Sequence, residues 1–203
     1  VAQHSLARLL AITSIKKIIV PCDLDAPAWR EVSAASHPRV ERVAGGVERV
    51  HSVVRGLQAI EGQADPNDWV LVHDIARPCI TPSDIFKLIE QLHDNAVGGI
   101  LATPVSGTLK QMTSDNMVAC TPDRSLFRAA QTPQMFRYGL LLQALQAMLA
   151  DGQMPTDEAS AIEYAAQPVS VVEGRRDNIK ITHREDLVIA EAIMNCQEIE
   201  QCE

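Results

Sequence analysis

Residues 69–78 read WVLVHDIARP. Trp69 to Val72 is an unbroken apolar run of strand length, the pattern of a strand buried on both faces. It stops at the polar cluster His73, Asp74, Arg77 and Pro78. Behind it, Ile85, Leu88, Ile89 and Leu92 fall at helical spacing, with Thr81 and Ser83 as candidate caps. The same order recurs upstream. Lys17 to Pro21 (KKIIVP) predicts a short buried strand, followed by a helix capped by Asp25 with Pro27, Trp29 and Val32 inside it. Val40 to Val43 predicts a second strand running into Gly45-Gly46, and Val50, Val53, Val54 and Leu57 mark one face of the next helix. Leu6, Leu9 and Leu10 already keep helical spacing at the start of the chain. Strands alternating with helices of about a dozen residues predict an α/β fold, a mostly parallel sheet with helices on both faces. In such sheets ligands bind beyond the carboxyl ends of the strands, where Gly45-Gly46 and the cluster from His73 to Arg77 both lie.

The alternation breaks after Gly98-Gly99. Val97 to Val105 predicts another strand, but Thr108 to Asp123 reads as two short alternating stretches around Ser114-Asp115-Asn116. A lone two-stranded ribbon is marginal in water, so this inserted hairpin arm, residues 105–124, is expected to pack on something else, a second subunit being the natural partner. Helices around Leu141 to Leu149, from Thr156 to Ala165 and around Leu187 to Met194, with strands at Val169 to Val172 and Ile179 to Ile181, complete the expectation. A single domain over residues 1–203 accommodates all of it.

Composition narrows the function classes. The 18 Lys and Arg residues against 26 Asp and Glu give a formal charge of -8, which disfavours a broad nucleic-acid or anionic-membrane surface while leaving room for a local cationic phosphate pocket. Cys22, Cys79, Cys120, Cys196 and Cys202 are odd in number and never spaced C-x-x-C, as expected of free thiols in a reducing, cytoplasmic setting. No apolar run approaches the roughly 18 residues of a membrane span.

Asp74 and Arg77 follow a buried strand directly, an expensive place for charge unless something pairs with it. The carboxylate could hold Mg²⁺ or a ribose hydroxyl and the arginine a phosphate; an ion pair that merely closes the turn is the alternative. His73 reads as a hydrogen-bonded structural group. Gly45-Gly46 with Glu48, Arg49 and Ser52 fits a close backbone approach to a ligand at a helix start. Asp157 and Glu158 after Thr156 fit simple helix capping. Arg175, Arg176 and Lys180 form the densest basic cluster; the solvated face is the usual reading, except that Lys180 between Ile179 and Ile181 points at a partner. From these residues alone the chain is a phosphate-handling α/β domain, and the reaction stays open.

Taken in order, GGVERVHSV (45–53), VLVHDIARP (70–78), AQTPQMF (130–136), TDEASAIE (156–163) and VEGRRDNIKIT (172–182) resemble the successive signature segments of the 2-C-methyl-D-erythritol 4-phosphate cytidylyltransferase family. The resemblance spans nearly the whole chain. It implies a Rossmann-like nucleotidyltransferase domain and a homodimer interlocked through the arm. It also implies Mg²⁺-dependent attack of a sugar-alcohol phosphate on the α-phosphorus of CTP, in a cytoplasmic enzyme of isoprenoid biosynthesis. Carried over residue by residue, Arg124 and Lys180 position the acceptor phosphate. Asp74, Arg77, Thr108, Thr132 and Thr156 surround the sugar phosphate and metal, with Asp74 the metal candidate, and Gly45, Gly46 and Ser52 lie near the cytosine and ribose. Arg124 and Thr108 would be borrowed from the other subunit. The family opens with a strand and a glycine-rich P-A-A-G-x-G-x-R-M loop, then P-K-Q-Y, and neither stands in these residues, so the resemblance implies that this triphosphate cradle is missing from the 203 residues. Gly107 stands where the family often has an aspartate. A ribitol-5-phosphate cytidylyltransferase and an inactive nucleotide-binding dimer are the alternative readings.

Overall fold

The computed structural model describes residues 1–200; Cys202, read above as a free thiol, lies outside them. The elements, in chain order, are α1 (Ala2–Leu10), β1 (Ile18–Cys22), β2 (Val40–Ala44), α2 (Arg49–Gln58), β3 (Trp69–Val72), α3 (Pro82–Leu92), β4 (Gly98–Pro104), β5 (Gln111–Met112), β6 (Val118–Cys120), β7 (Arg128–Arg137), α4 (Tyr138–Ala150), α5 (Glu158–Tyr164), β8 (Ser170–Glu173) and α6 (Asp186–Glu200).

β4 is the hub, because nearly every side chain along it is buried. Side chains alternate across a strand. Ile100 and Ala102 therefore join Phe136 of β7 under α2, α4 and α5, where Val50, Leu57, Leu141, Leu145 and Ile162 pack. Leu101 and Met135 point the other way, onto Ile85, Leu88 and Leu92 of α3 and Val172 of β8. Helices thus cover both faces of the sheet, as the buried apolar runs of the sequence require. Gly98 takes φ +133°, and a Cβ there would stand 2.1 Å from the Met135 carbonyl oxygen, so no larger residue fits where β4 enters beside β7.

Strand order is β3-β7-β4-β8, with β1-β2 as a separate pair. β1–β2 and β4–β8 are parallel, as predicted. β7 runs antiparallel to both β3 and β4, so the sheet is mixed rather than mostly parallel. The cause is local: the chain enters β7 from the hairpin arm and so returns along β4, as a hairpin connection requires, without the crossover that parallel pairing needs. Two further expectations change. The segment after β1 forms 3₁₀ turns, Pro27–Glu31 and Ser33–Ser36, in place of an α-helix. They are broken at Val32 (φ -101°, ψ 87°), and Pro38 follows, disfavouring helical geometry at His37. Residues 179–181 form no strand; Ile181 N–H donates to the Ala76 carbonyl at 2.8 Å and ties this loop to the one after β3. The predicted hairpin is present as β5–β6, with Asn116 at φ 64° in its turn, a conformation Asn tolerates well. Among the described residues, no helix is long and apolar enough to cross a membrane.

Candidate active site

A polar cavity of about 160 Å³ opens beyond β3, lined by Asp74, Arg77, Thr132, Thr156, Asp157 and Lys180 together with Arg49 and residues of β7. Asp74, Arg77, Thr132, Thr156 and Lys180, singled out from sequence, therefore converge. They arrive from four pieces of the fold. Asp74 and Arg77 sit on the turn where β3 runs out. Thr132 lies within β7, Thr156 before α5, and Lys180 on the loop after β8.

That loop is held by buried polar groups. Asn178 is fully buried; its Nδ2 donates to the Thr132 carbonyl at 2.9 Å, while its own carbonyl accepts from Arg77 Nη1 at 2.8 Å. Gln131 Nε2 donates to the Arg175 carbonyl at 2.8 Å. With the loop so fixed, Lys180 Nζ reaches Asp74 Oδ2 at 2.7 Å, and Asp74 is the partner that the isoleucine-flanked lysine called for. The rest of the basic cluster serves structure. Arg175 pairs with Asp177 at 2.7 Å, Asp177 also accepts from Gln197, and Arg176 is exposed to solvent.

Sequence reasoning placed Arg49 with the Gly45-Gly46 turn and missed its partners behind the lysine. Arg49, the first residue of α2, donates Nε to Asp74 Oδ1 at 2.9 Å and both terminal nitrogens to Glu158, at 2.7 and 3.0 Å. The Glu158 side chain is 1% exposed, so it is a buried counter-ion and not the simple helix-capping residue predicted. The capping reading does hold for Asp157, which accepts from Ser160 N–H at 2.9 Å, and Asp157 also accepts from Gln134 Nε2 at 2.9 Å. A cation at a helix N-terminus opposes the helix dipole, and the Glu158 carboxylate offsets that. Burial alone would push Arg49 down; the Glu158 and Asp74 carboxylates outweigh it and hold the guanidinium charged. Burial likewise pushes the Asp74 carboxyl up, but Lys180 and Arg49 outweigh it and hold it below the usual carboxylate range. For Glu158 burial prevails over Arg49 and raises the pKa.

His73 behaves as the structural group expected. Its Nε2 lies 3.1 Å from the Arg77 carbonyl, which can only accept, so the proton sits there. Nδ1 then accepts from Thr132 Oγ1 at 3.0 Å, and Thr132 Oγ1 accepts from Asp74 N–H at 3.0 Å. Burial pushes the imidazole down to about 4, so it is neutral at pH 7.

Gly45, Gly46 and Ser52 form a separate feature at the β2–α2 turn and do not line this cavity. Gly46 N–H donates to Ser52 Oγ at 2.9 Å, and a Cβ on Gly46 would stand 2.3 Å from the Cβ of His51, so the turn needs glycine. Thr108 and Arg124 lie on the exposed arm, also outside the cavity; Arg124 Nη1 donates to the Ser106 carbonyl at 2.6 Å. As for a metal, both Asp74 oxygens already accept from cations, and among the described residues no group of three or more His, Cys, Asp or Glu could hold one. These side chains do not fit a resident metal ion. Cys22, Cys79, Cys120 and Cys196 are free thiols, as expected.

A family model described as IspD, 2-C-methyl-D-erythritol 4-phosphate cytidylyltransferase, matches residues 1–196. A protein of that name from Ectopseudomonas mendocina (strain ymp) is 47% identical over 188 residues, covering 92% of this chain and 80% of the relative. One from Vibrio vulnificus (strain CMCP6) is 44% identical over 191 residues, covering 94% and 81%. Among solved structures, the crystal structure of the Francisella tularensis cytidylyltransferase of this name superposes with a TM-score of 0.83 at 34% identity, over 95% of this chain and 87% of that one. The α/β architecture is accordingly the Rossmann-like nucleotidyltransferase fold. With its signature segments gathered around one polar cavity and this likeness over almost its full length, the chain belongs to the IspD family of 2-C-methyl-D-erythritol 4-phosphate cytidylyltransferases.

Proposed function

We propose that this protein transfers CMP from CTP to 2-C-methyl-D-erythritol 4-phosphate, releasing pyrophosphate and giving 4-diphosphocytidyl-2-C-methyl-D-erythritol, in the cytoplasm. The observation that carries this reading is the Lys180–Asp74–Arg49 chain beside Arg77 in a cavity smaller than the roughly 300–1,000 Å³ of a complete ligand pocket. Such a space suits the phosphate end of a polyol better than a whole nucleotide. An acceptor phosphate oxygen forms a bond to the α-phosphorus as the bond from that phosphorus to the bridging oxygen breaks, and pyrophosphate leaves with the electron pair. Chemistry of this kind needs placement and charge neutralisation more than a covalent intermediate. Lys180 and Arg77 supply positive charge to the acceptor phosphate, Asp74 accepts from the polyol hydroxyls, and Thr132 and Thr156 add hydroxyl contacts. The Gly45-Gly46 turn with Ser52 serves the nucleoside. Mg²⁺ belongs to this reading as part of the substrate, carried in on the triphosphate.

The hairpin arm completes the reading. Met117 and Val118 on it and Leu126 just after it are 64, 56 and 82% exposed, an apolar surface that a second copy would cover. In such a homodimer, Arg124 and Thr108 of one subunit would reach the acceptor site of the other. The direct test is pyrophosphate release from CTP and Mg²⁺ with each candidate acceptor. A clear preference for 2-C-methyl-D-erythritol 4-phosphate is expected; preference for ribitol 5-phosphate, or no release with either, overturns the proposal.

A further inference from the structure

Glu158 is buried, paired with Arg49 and outside the cavity, and no step of the proposed reaction uses it. What it does is geometric. A guanidinium facing a single carboxylate prefers two parallel bonds to it. Arg49 faces two carboxylates; Glu158 takes one N–H from each terminal nitrogen and so holds the guanidinium where Nε alone bonds Asp74 Oδ1. Asp74 Oδ2 is thereby free for Lys180 Nζ at 2.7 Å. We propose that Glu158 is a positioning residue: by engaging the terminal nitrogens of Arg49, it restricts Arg49 to one bond with Asp74 and keeps Asp74 in register with Lys180. Without it, the Arg49 fork is released onto Asp74 as a bidentate pair and competes with the lysine.

This inference deepens the reading of Asp74 and Lys180 as acceptor residues and rests on it. It is tested in the full-length protein with Glu158→Gln, which removes the carboxylate at nearly constant shape, and Glu158→Asp, which keeps the carboxylate but shortens the reach. Two readouts are needed. In steady-state kinetics, Glu158→Gln should lower kcat by about tenfold or more with the KM for CTP within about twofold, and Glu158→Asp should recover part of the loss. Independently of turnover, the rate at which an amine-reactive acetyl ester modifies Lys180, followed by mass spectrometry, should rise several-fold in Glu158→Gln while Lys16 and Lys110 are unchanged. Wild-type kinetics and wild-type Lys180 labelling in both variants overturn the proposal, and so does a general rise at all lysines, which marks a merely loosened fold. If Glu158→Gln does not fold, Glu158→Asp decides alone by the same two readouts. If wild-type protein transfers no cytidylyl group yet the Lys180 labelling rises selectively, the activity reading fails while the positioning role stands.

Discussion

The cavity beyond β3 and the hairpin arm are built on opposite terms. Around the cavity each functional group is fixed by several partners from distant parts of the chain: Asp74 by Arg49, Lys180 and Thr132, and the 178–180 loop by Thr132, Gln131 and Arg77. On the arm, Arg124 is held by the Ser106 carbonyl of its own hairpin, and large apolar side chains face outward. A site assembled within one chain can be rigid before any ligand arrives. A ribbon of strands only two and three residues long gains its order from whatever it packs against. The difference teaches where to look for each kind of failure. Buried members of the cavity network carry both fold and site geometry, whereas on the proposed reading the arm contributes only through a second copy of the chain.

The largest expected effect comes from breaking the cavity directly. Lys180→Ala should lower turnover by roughly 10²-fold or more while the fold survives, since Lys180 is part-exposed and removes no buried packing. Pyrophosphate release measured alongside a thermal melt separates the two. Turnover within a few-fold of wild type would remove Lys180 from the proposed role.

The smallest effect sharpens the comparison through pH. The His73 imidazole is lowered to about 4 in the folded protein against an ordinary 6.5, so the unfolded chain binds the proton more readily. The stability that neutral His73 contributes is therefore fully present above pH 6.5 and is lost as pH falls from there towards 4. Between pH 7 and pH 5 the loss should amount to about 1–2 kcal/mol, discounted because His73 is only partly buried. Urea unfolding of wild type and His73→Gln at both pH values checks it: the wild type should lose this increment and the variant should not.

How far the sequence foretold the molecule follows the same division. Strands made of uniformly apolar residues, such as Trp69–Val72, and helices with a clear apolar stripe, such as α3, were legible from periodicity. β7 was not, because it buries Gln131, Thr132 and Gln134 in its centre and interrupts them with Pro133. Those polar groups are tolerable only because remote backbone and side chains satisfy them: Gln134 Oε1 accepts from Ala159 N–H at 2.8 Å and its Nε2 donates to Asp157. No local pattern announces a partner some two dozen residues away. The antiparallel course of β7 was hidden with it. At the site, Asp74 and Arg77 stood out because charges directly after a buried strand are costly. Arg49 and Glu158 did not, since each sits in the first turn of a helix, where polar residues are ordinary. The acid and the base are more than a hundred positions apart in sequence, and only the packing of α2 and α5 on α4 in one core cluster reveals the pair. Sequence signature segments, in contrast, identified the family without any of this geometry.

On the proposed reading a cavity prepared within one chain would be completed by the arm of another, and mixed subunits test this. Arg124→Ala and Lys180→Ala each spoil every site of their own homodimer. A mixed dimer pairs one intact cavity with one intact arm, so subunit exchange at equal concentrations should restore about a quarter of wild-type turnover, half of the dimers being mixed with one working site each. Recovery at that level from two nearly inactive proteins is the predicted result. No recovery, with mixed dimers demonstrated by native mass spectrometry, would contradict the shared site.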